Sequence, residues 1–174
     1  MNTWKIDTMH SDVSFKVRHM MISNVTGNFS NFDATLVAEG ENLNNPKIAF
    51  KAHVDSIQTG VADRDGHLKS ADFFDAASHP TIEFESNEIT KNGQDWTIQG
   101  NMTIKGITHP IVLKGDFAGI AVDPYGQTKA GISLSGKIKR SDFGLTWSAI
   151  TELETLWLVM RLRFKVRHNL FNKP

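Results

Sequence analysis

Between Asp63 and Asp72 the chain crowds Arg64, Asp65, His67 and Lys69 into six residues, with the two outer aspartates flanking them. An imidazole beside carboxylates can move protons, and a guanidinium or ammonium group can hold an anionic head. The cluster therefore reads as an acid–base centre, as a polar rim at the mouth of an apolar cavity, or as a solvated helix surface whose charges pair with one another. The other histidines (His10, His19, His53, His79, His109 and His168) are scattered with no HxH, HxxxH or HExxH spacing, so no metal site is written into the chain. No serine lies in a nucleophile elbow, no glycine-rich phosphate loop precedes a helix, and there is no cysteine to act as nucleophile, thiolate ligand or disulfide partner. No catalytic residue, metal or cofactor is expected. An enzyme using His67 or His19 on an enclosed substrate is the alternative.

The elements that must position this cluster are almost all strands. The cluster lies in Ser56 to Phe74 (SIQTGVADRDGHLKSADFF), the one stretch that reads as helix, with Val61, Leu68, Phe73 and Phe74 as apolar points and Thr59-Gly60 as its cap. Everything around it alternates with period two. Trp4 and Ile6, then Val13, Phe15 and Val17, predict an opening hairpin, and Gly27 inside the next strand predicts a bend or bulge. Further alternation runs through Ile48 to Val54, Ile82 to Ser86, Trp96 to Gly100, Ile111 to Leu113 and Ile132 to Ile138. Turns are expected at Leu43-Asn44-Asn45-Pro46, Asn92-Gly93, Lys105-Gly106 and Asp123-Pro124-Tyr125-Gly126.

The 174 residues suit one domain with a sizeable core. Nineteen basic against nineteen acidic residues leave no global field to draw in nucleic acid, and no partner of that kind is expected. No apolar run approaches the roughly 18 residues of a spanning helix, and the N-terminal stretch lacks the pattern of an export signal, so a cytoplasmic protein without stable membrane insertion is expected. About eight short strands with in-strand glycines favour an all-β barrel over a sandwich. At that size a barrel is either filled by its own side chains or holds one small ligand, as lipocalins do. Phenylalanines spread through nearly every element suit a solid core or a greasy cavity wall, and Met20-Met21-Ile22 could line an opening.

The ordered set His10-Ser11, Phe15, Arg18-His19, Gly27-x-Phe29, Ser56-Ile57-x-Thr59-Gly60, Arg64-Asp65-x-His67-Leu68, Asp72-Phe73-Phe74-Asp75, Pro80-x-Ile82-x-Phe84-x-Ser86, Ile104 to Thr108 and Arg140-x-Asp142-Phe143-Gly144 resembles the YceI family of lipid- or polyisoprenoid-binding proteins. The resemblance covers about residues 4 to 152, within a single domain spanning 1 to 174. It implies a lipocalin-like, extended antiparallel β-barrel with one short helix beside it and a long apolar tail in its interior. The implied partner is an isoprenoid or fatty-chain lipid that the protein sequesters or carries; a homodimer is compatible with this. Strand parity assigns Phe15, Val17, Phe29, Phe50, Phe84 and Leu134 to the tunnel wall, with Arg64, His67 and Lys69 at its mouth. The second non-enzymatic reading is a stress-linked structural module with a filled barrel.

After Glu152 the motifs stop. Arg161, Arg163, Lys165, Arg167 and Lys173 fall in a tail with no acid after Glu154, where the family continues with a glycine turn and a Val-Gly-Asp-Glu-Val-like strand. With suitable synonymous codons, Thr155 to Pro174 read two bases on gives Phe-Met-Val-Gly-Asp-Glu-Val-Lys-Ile-Gln-Gly-Glu, a family-like ending. A one-base deletion, or a sequencing error, near the codon after Glu152 is the expected origin of both features. The tail keeps Leu162, Phe164 and Val166 in alternation and is expected to pair as a closing strand while exposing Leu156-Trp157-Leu158.

Overall fold

The structure is a computed structural model that describes residues 2–19, 23–145 and 152–166. Met20-Met21-Ile22, expected at an opening, lie outside these residues, as do Arg167, His168 and Lys173. Among the described residues there are eleven strands: β1 (Asn2–Ile6), β2 (Asp12–His19), β3 (Ser23–Phe29), β4 (Phe32–Glu39), β5 (Asn44–His53), β6 (Ile57–Gln58), β7 (Thr81–Asn92), β8 (Asp95–Ile104), β9 (Ile107–Val122), β10 (Thr128–Lys139) and β11 (Glu152–Val166). One helix, α1 (Ala62–Lys69), and three 3₁₀ turns, Thr8–His10, Val54–Ser56 and Arg140–Phe143, complete them.

Eight of the strands close a ring in the order β1-β4-β5-β7-β8-β9-β10-β11, and β11 returns to β1 through Trp4↔Val166 and Ile6↔Phe164. Every pairing is antiparallel, so the structure is the expected closed barrel, with β2, β3 and β6 added outside the ring. β11 serves both parts. Its residues 156–161 pair with β2, and 164–166 pair with β1, so the sheet forks along this one strand. The turns are set by local chemistry: Lys105-Gly106 both take positive φ, and Asp123 Oδ1 accepts from the Tyr125 and Gln127 amides.

The opening hairpin does not form. β1 pairs with β4 and β11, while β2 pairs with β3 and β11, because the 3₁₀ turn Thr8–His10 separates the two strands. Nor is there a bulge at Gly27, where β2 and β3 stay in register from Ser14↔Asn28 to His19↔Ser23. The glycine is needed for another reason. A Cβ there would clash with Cζ of Phe15, so the phenyl ring packs on bare backbone. The helix is shorter than its stretch: Ile57 joins the sheet, Val61 stands at the N-cap with no side-chain cap and is 48% exposed, and only Leu68, Phe73 and Phe74 of the apolar points reach the core.

The tail closes the barrel as its alternation predicts. Leu156, Leu158, Met160, Leu162 and Phe164 are all buried, while Arg161 and Arg163 face outward. Of the three residues expected to be exposed, only Trp157 is, because period two turns its two leucine neighbours inward.

Candidate ligand-binding site

The polar cluster is assembled by α1, which leans on the end of the β2–β3 hairpin. Asp65 Oδ1 accepts from the Thr59 amide at 2.9 Å and from the Thr59 hydroxyl. Arg64 donates from Nε to the Thr59 hydroxyl and from Nη2 to the Thr59 carbonyl, both at 2.8 Å. The Arg-Asp pair thus knots the helix onto the turn that precedes it, and a single threonine is bonded to both side chains. His67 is 34% exposed, with Nε2 3.7 Å from Asp72 Oδ2. The turn after the helix is held by backbone bonds from Phe74 to the Leu68 carbonyl and from Ala76 to the Lys69 carbonyl, which plants Phe73 and Phe74 in the core.

Behind this edge lie two small apolar cavities. The outer one, about 50 Å³, is lined by Phe15, Val17, Val25, Leu68, Phe73 and Leu156 together with Arg64 and His67. The inner one, about 20 Å³, includes Phe15, Phe29, Phe50, Phe74, Met102 and Leu158 in a wholly apolar wall. Phe15 and Leu156 border both, so they form the partition between the polar edge and the barrel centre. The expected continuous tunnel is closed. Cavities of this size hold a few waters at most, far below the roughly 300 Å³ at which ligand pockets begin. Large side chains from both sides of the ring meet in the middle, which period-two reading of single strands does not reveal.

Of the wall residues read from the sequence, Phe15, Phe29 and Phe50 line the inner cavity and Val17 the outer. Phe84 and Leu134 are fully buried but border neither. Arg64 and His67 border the outer cavity, and Lys69 does not. Sequence reasoning missed Phe74, Met102, Leu156 and Leu158, although alternation could have found the two leucines.

A second approach to the interior lies between β9 and β10. The β9–β10 ladder ends at Ser135↔Lys114, although both strands run on. Pro110, which has no N–H to offer a neighbour, sits in the part of β9 that pairs with β8 but not with β10. There a surface groove of about 840 Å³ opens, bordered by Ile111, Val112, Ile138, Phe143 and Trp157 with Lys114, Lys137 and Lys139. Ile138 also borders the inner cavity, so one side chain separates groove from core.

Titration is perturbed away from both cavities. Burial pushes the Asp7 carboxyl up, but the His10 hydrogen bond at 2.8 Å and the charges of Lys165, His10 and Lys129 outweigh it and hold the group below its ordinary value. Asp7 sits where β1 meets β11, its amide bonded to the Arg163 carbonyl, so this network braces the barrel seam. Among the described residues no three His, Asp or Glu side chains converge as a metal site would require.

A family model described as YceI-like domain matches residues 4–168. The chain belongs to the YceI-like family. The match runs through β11, past the point near Glu152 where the motifs stop. Among curated relatives, protein YceI of Salmonella newport is 36% identical over 145 residues, covering 82% of this chain and 76% of its own. The Campylobacter jejuni YCEI protein, of known crystal structure, is 33% identical with a TM-score of 0.77, covering 94% of this chain and 97% of that one. A polyisoprenoid binding domain from Saccharophagus degradans shares the fold alone, at 13% identity and a TM-score of 0.73 over 96% of this chain and 100% of its own. Arg64 and Asp65 have a structural task here with Thr59, tying the helix to the turn that precedes it.

Proposed function

We propose that this YceI-like barrel binds an amphiphilic long-chain lipid of polyisoprenoid or fatty-acid type, and sequesters or carries it without chemical change. The observation that carries the reading is the line of two apolar cavities meeting at Phe15 and Leu156, with Arg64 and His67 at its outer end. A fold neighbour described as polyisoprenoid binding supports it. Each buried methylene contributes about 0.8 kcal/mol, so a chain of some ten carbons gains roughly 8 kcal/mol against the cost of moving side chains aside. The β2–β3 hairpin is the part most suited to move. Among the described residues its strand pairings outside the hairpin itself are to β11 and to the two-residue β6, through Asn28↔Gln58 and Phe29↔Ile57, and it carries Phe15, Val17 and Phe29 of the wall. An outward swing of this hairpin joins the cavities into one channel. A cytoplasmic location belongs to the same reading and is tested by cell fractionation.

The test is a titration of delipidated protein with a conjugated, fluorescent fatty acid. Saturable one-to-one binding, weakened by Phe50→Asp in a folded protein, is expected because an unpaired carboxylate in an apolar wall is costly. No saturable binding would remove the reading. The filled-barrel module is the second reading, favoured by the small cavity volumes.

A further inference from the structure

The net charge is zero, but the charge is not evenly spread. Lys16, Lys137, Lys139, Arg161 and Arg163 all stand exposed on the outer face of β2, β10 and β11, with Asp12 opposite Arg161 and Asp142 on the groove rim as acidic neighbours. On the other side, β4 and β7 expose Asp33, Glu83, Glu85 and Glu88, where Lys51 Nζ lies 3.6 Å from Glu83. The strand register makes the basic face a pattern. Lys137, Trp157 and Lys16 sit directly opposite one another across three strands, an indole flanked by two ammonium groups. Trp157 is 42% exposed, with Lys137 Nζ 4.5 Å above its ring. Beside this row the β9–β10 groove presents Val112, 55% exposed.

Cations interleaved with an exposed indole and an exposed aliphatic side chain are the chemistry of a bilayer interface. Tryptophan settles at the head-group level, and lysine and arginine meet anionic lipid heads while their stems cover apolar surface. A nucleic acid would answer the charge alone and leave Trp157 and Val112 without a role, apart from stacking on one isolated ring. We propose that the outer face of β10, β11 and β2, centred on Trp157 and Lys137, docks the barrel on an anionic lipid bilayer. The docking does not depend on what the barrel holds. It also brings the β9–β10 groove, floored by Ile138, against the membrane.

The full chain is floated with vesicles of phosphatidylcholine alone and with roughly one-third phosphatidylglycerol, at low and high salt. Binding to the anionic vesicles at least tenfold tighter than to neutral ones, and lost at high salt, is expected. Trp157→Ala and the double variant Lys137→Glu, Lys139→Glu should each weaken it about tenfold or more with unchanged thermal midpoints, while Lys51→Glu on the far side should not. Equal affinity for neutral and anionic vesicles, no binding at all, indifference to Trp157→Ala, or a preference for a duplex oligonucleotide over vesicles would overturn the proposal. Failure of the fatty-acid titration leaves this experiment intact, so the two readings fail separately.

Discussion

Replacing Phe15 with alanine tests the partition between the two cavities. The ring is buried, lies 5.7 Å from the Phe29 ring at 48°, and rests on the bare backbone of Gly27. Loss of a buried phenyl costs about 3–5 kcal/mol, the sum of lost transfer energy and the cavity that remains. The upper half of that range is expected, near 4 kcal/mol, because Gly27 has no side chain to collapse into the space. For a domain of this size each kcal/mol moves the thermal midpoint by roughly 2–4 °C, so a fall of about 8–16 °C should follow. The same change joins the cavities of about 20 and 50 Å³ through the volume the ring vacates, so affinity for a conjugated fatty acid should rise even as the empty protein weakens. Urea denaturation gives the first quantity and fluorescence titration the second. A stability loss below about 1 kcal/mol, or a folded variant with unchanged affinity, would refute the partition.

Acid should loosen the seam at Asp7. Its carboxyl is held below the value of 3.8, so it stabilises the fold above that pH and the contribution is lost as pH falls through the lower folded value; Asp7→Asn should flatten the pH dependence of the thermal midpoint there, and an unchanged profile would count against the network. Asp65→Ala removes the acceptor for two Thr59 donors and should cost about 1–3 kcal/mol, whereas an effect on fatty-acid affinity with no loss of stability would make the residue a ligand group and not a tie. For the tail, we propose that a one-base deletion produced residues after Glu152: resequencing should find codons that read Val-Gly-Asp-Glu-Val in the shifted frame, and the frame-restored chain should melt higher. Codons with no such reading would end that idea.

The barrel was legible because its information is local. Alternation survives in Trp96 to Met102, in Ile132 to Ile138 and in the tail, where Leu156, Leu158, Met160, Leu162 and Phe164 point inward regardless of how the segment arose. Turns such as Lys105-Gly106 were legible for the same reason, since positive φ favours particular residues. Pairing was not. Whether β1 joins β2 or β4 depends on partners more than thirty residues away, and nothing near Trp4 encodes Leu36 as its neighbour. Gly27 suggested a bend or bulge; the Phe15 ring that actually requires bare backbone there comes from the facing strand. The site was half legible. Parity placed Phe15, Val17, Phe29 and Phe50 on cavity walls, but parity is shared by Phe84 and Leu134, which are buried in the core and border neither cavity. Interior volume is the sum over all strands at once, so an open tunnel and a closed partition have the same sequence pattern. Lys69 shows the matching limit on a helix, where being near Arg64 and His67 in sequence does not put a side chain beside their cavity.

Native mass spectrometry of the protein purified without detergent from its own host tests lipid binding most directly. The account predicts a one-to-one adduct whose mass fits a single isoprenoid or fatty-chain lipid, released on organic extraction and depleted in Phe50→Asp. A folded protein that carries only its own mass, and stays so after incubation with host lipid extract, would contradict it and leave the filled barrel as the function's scaffold.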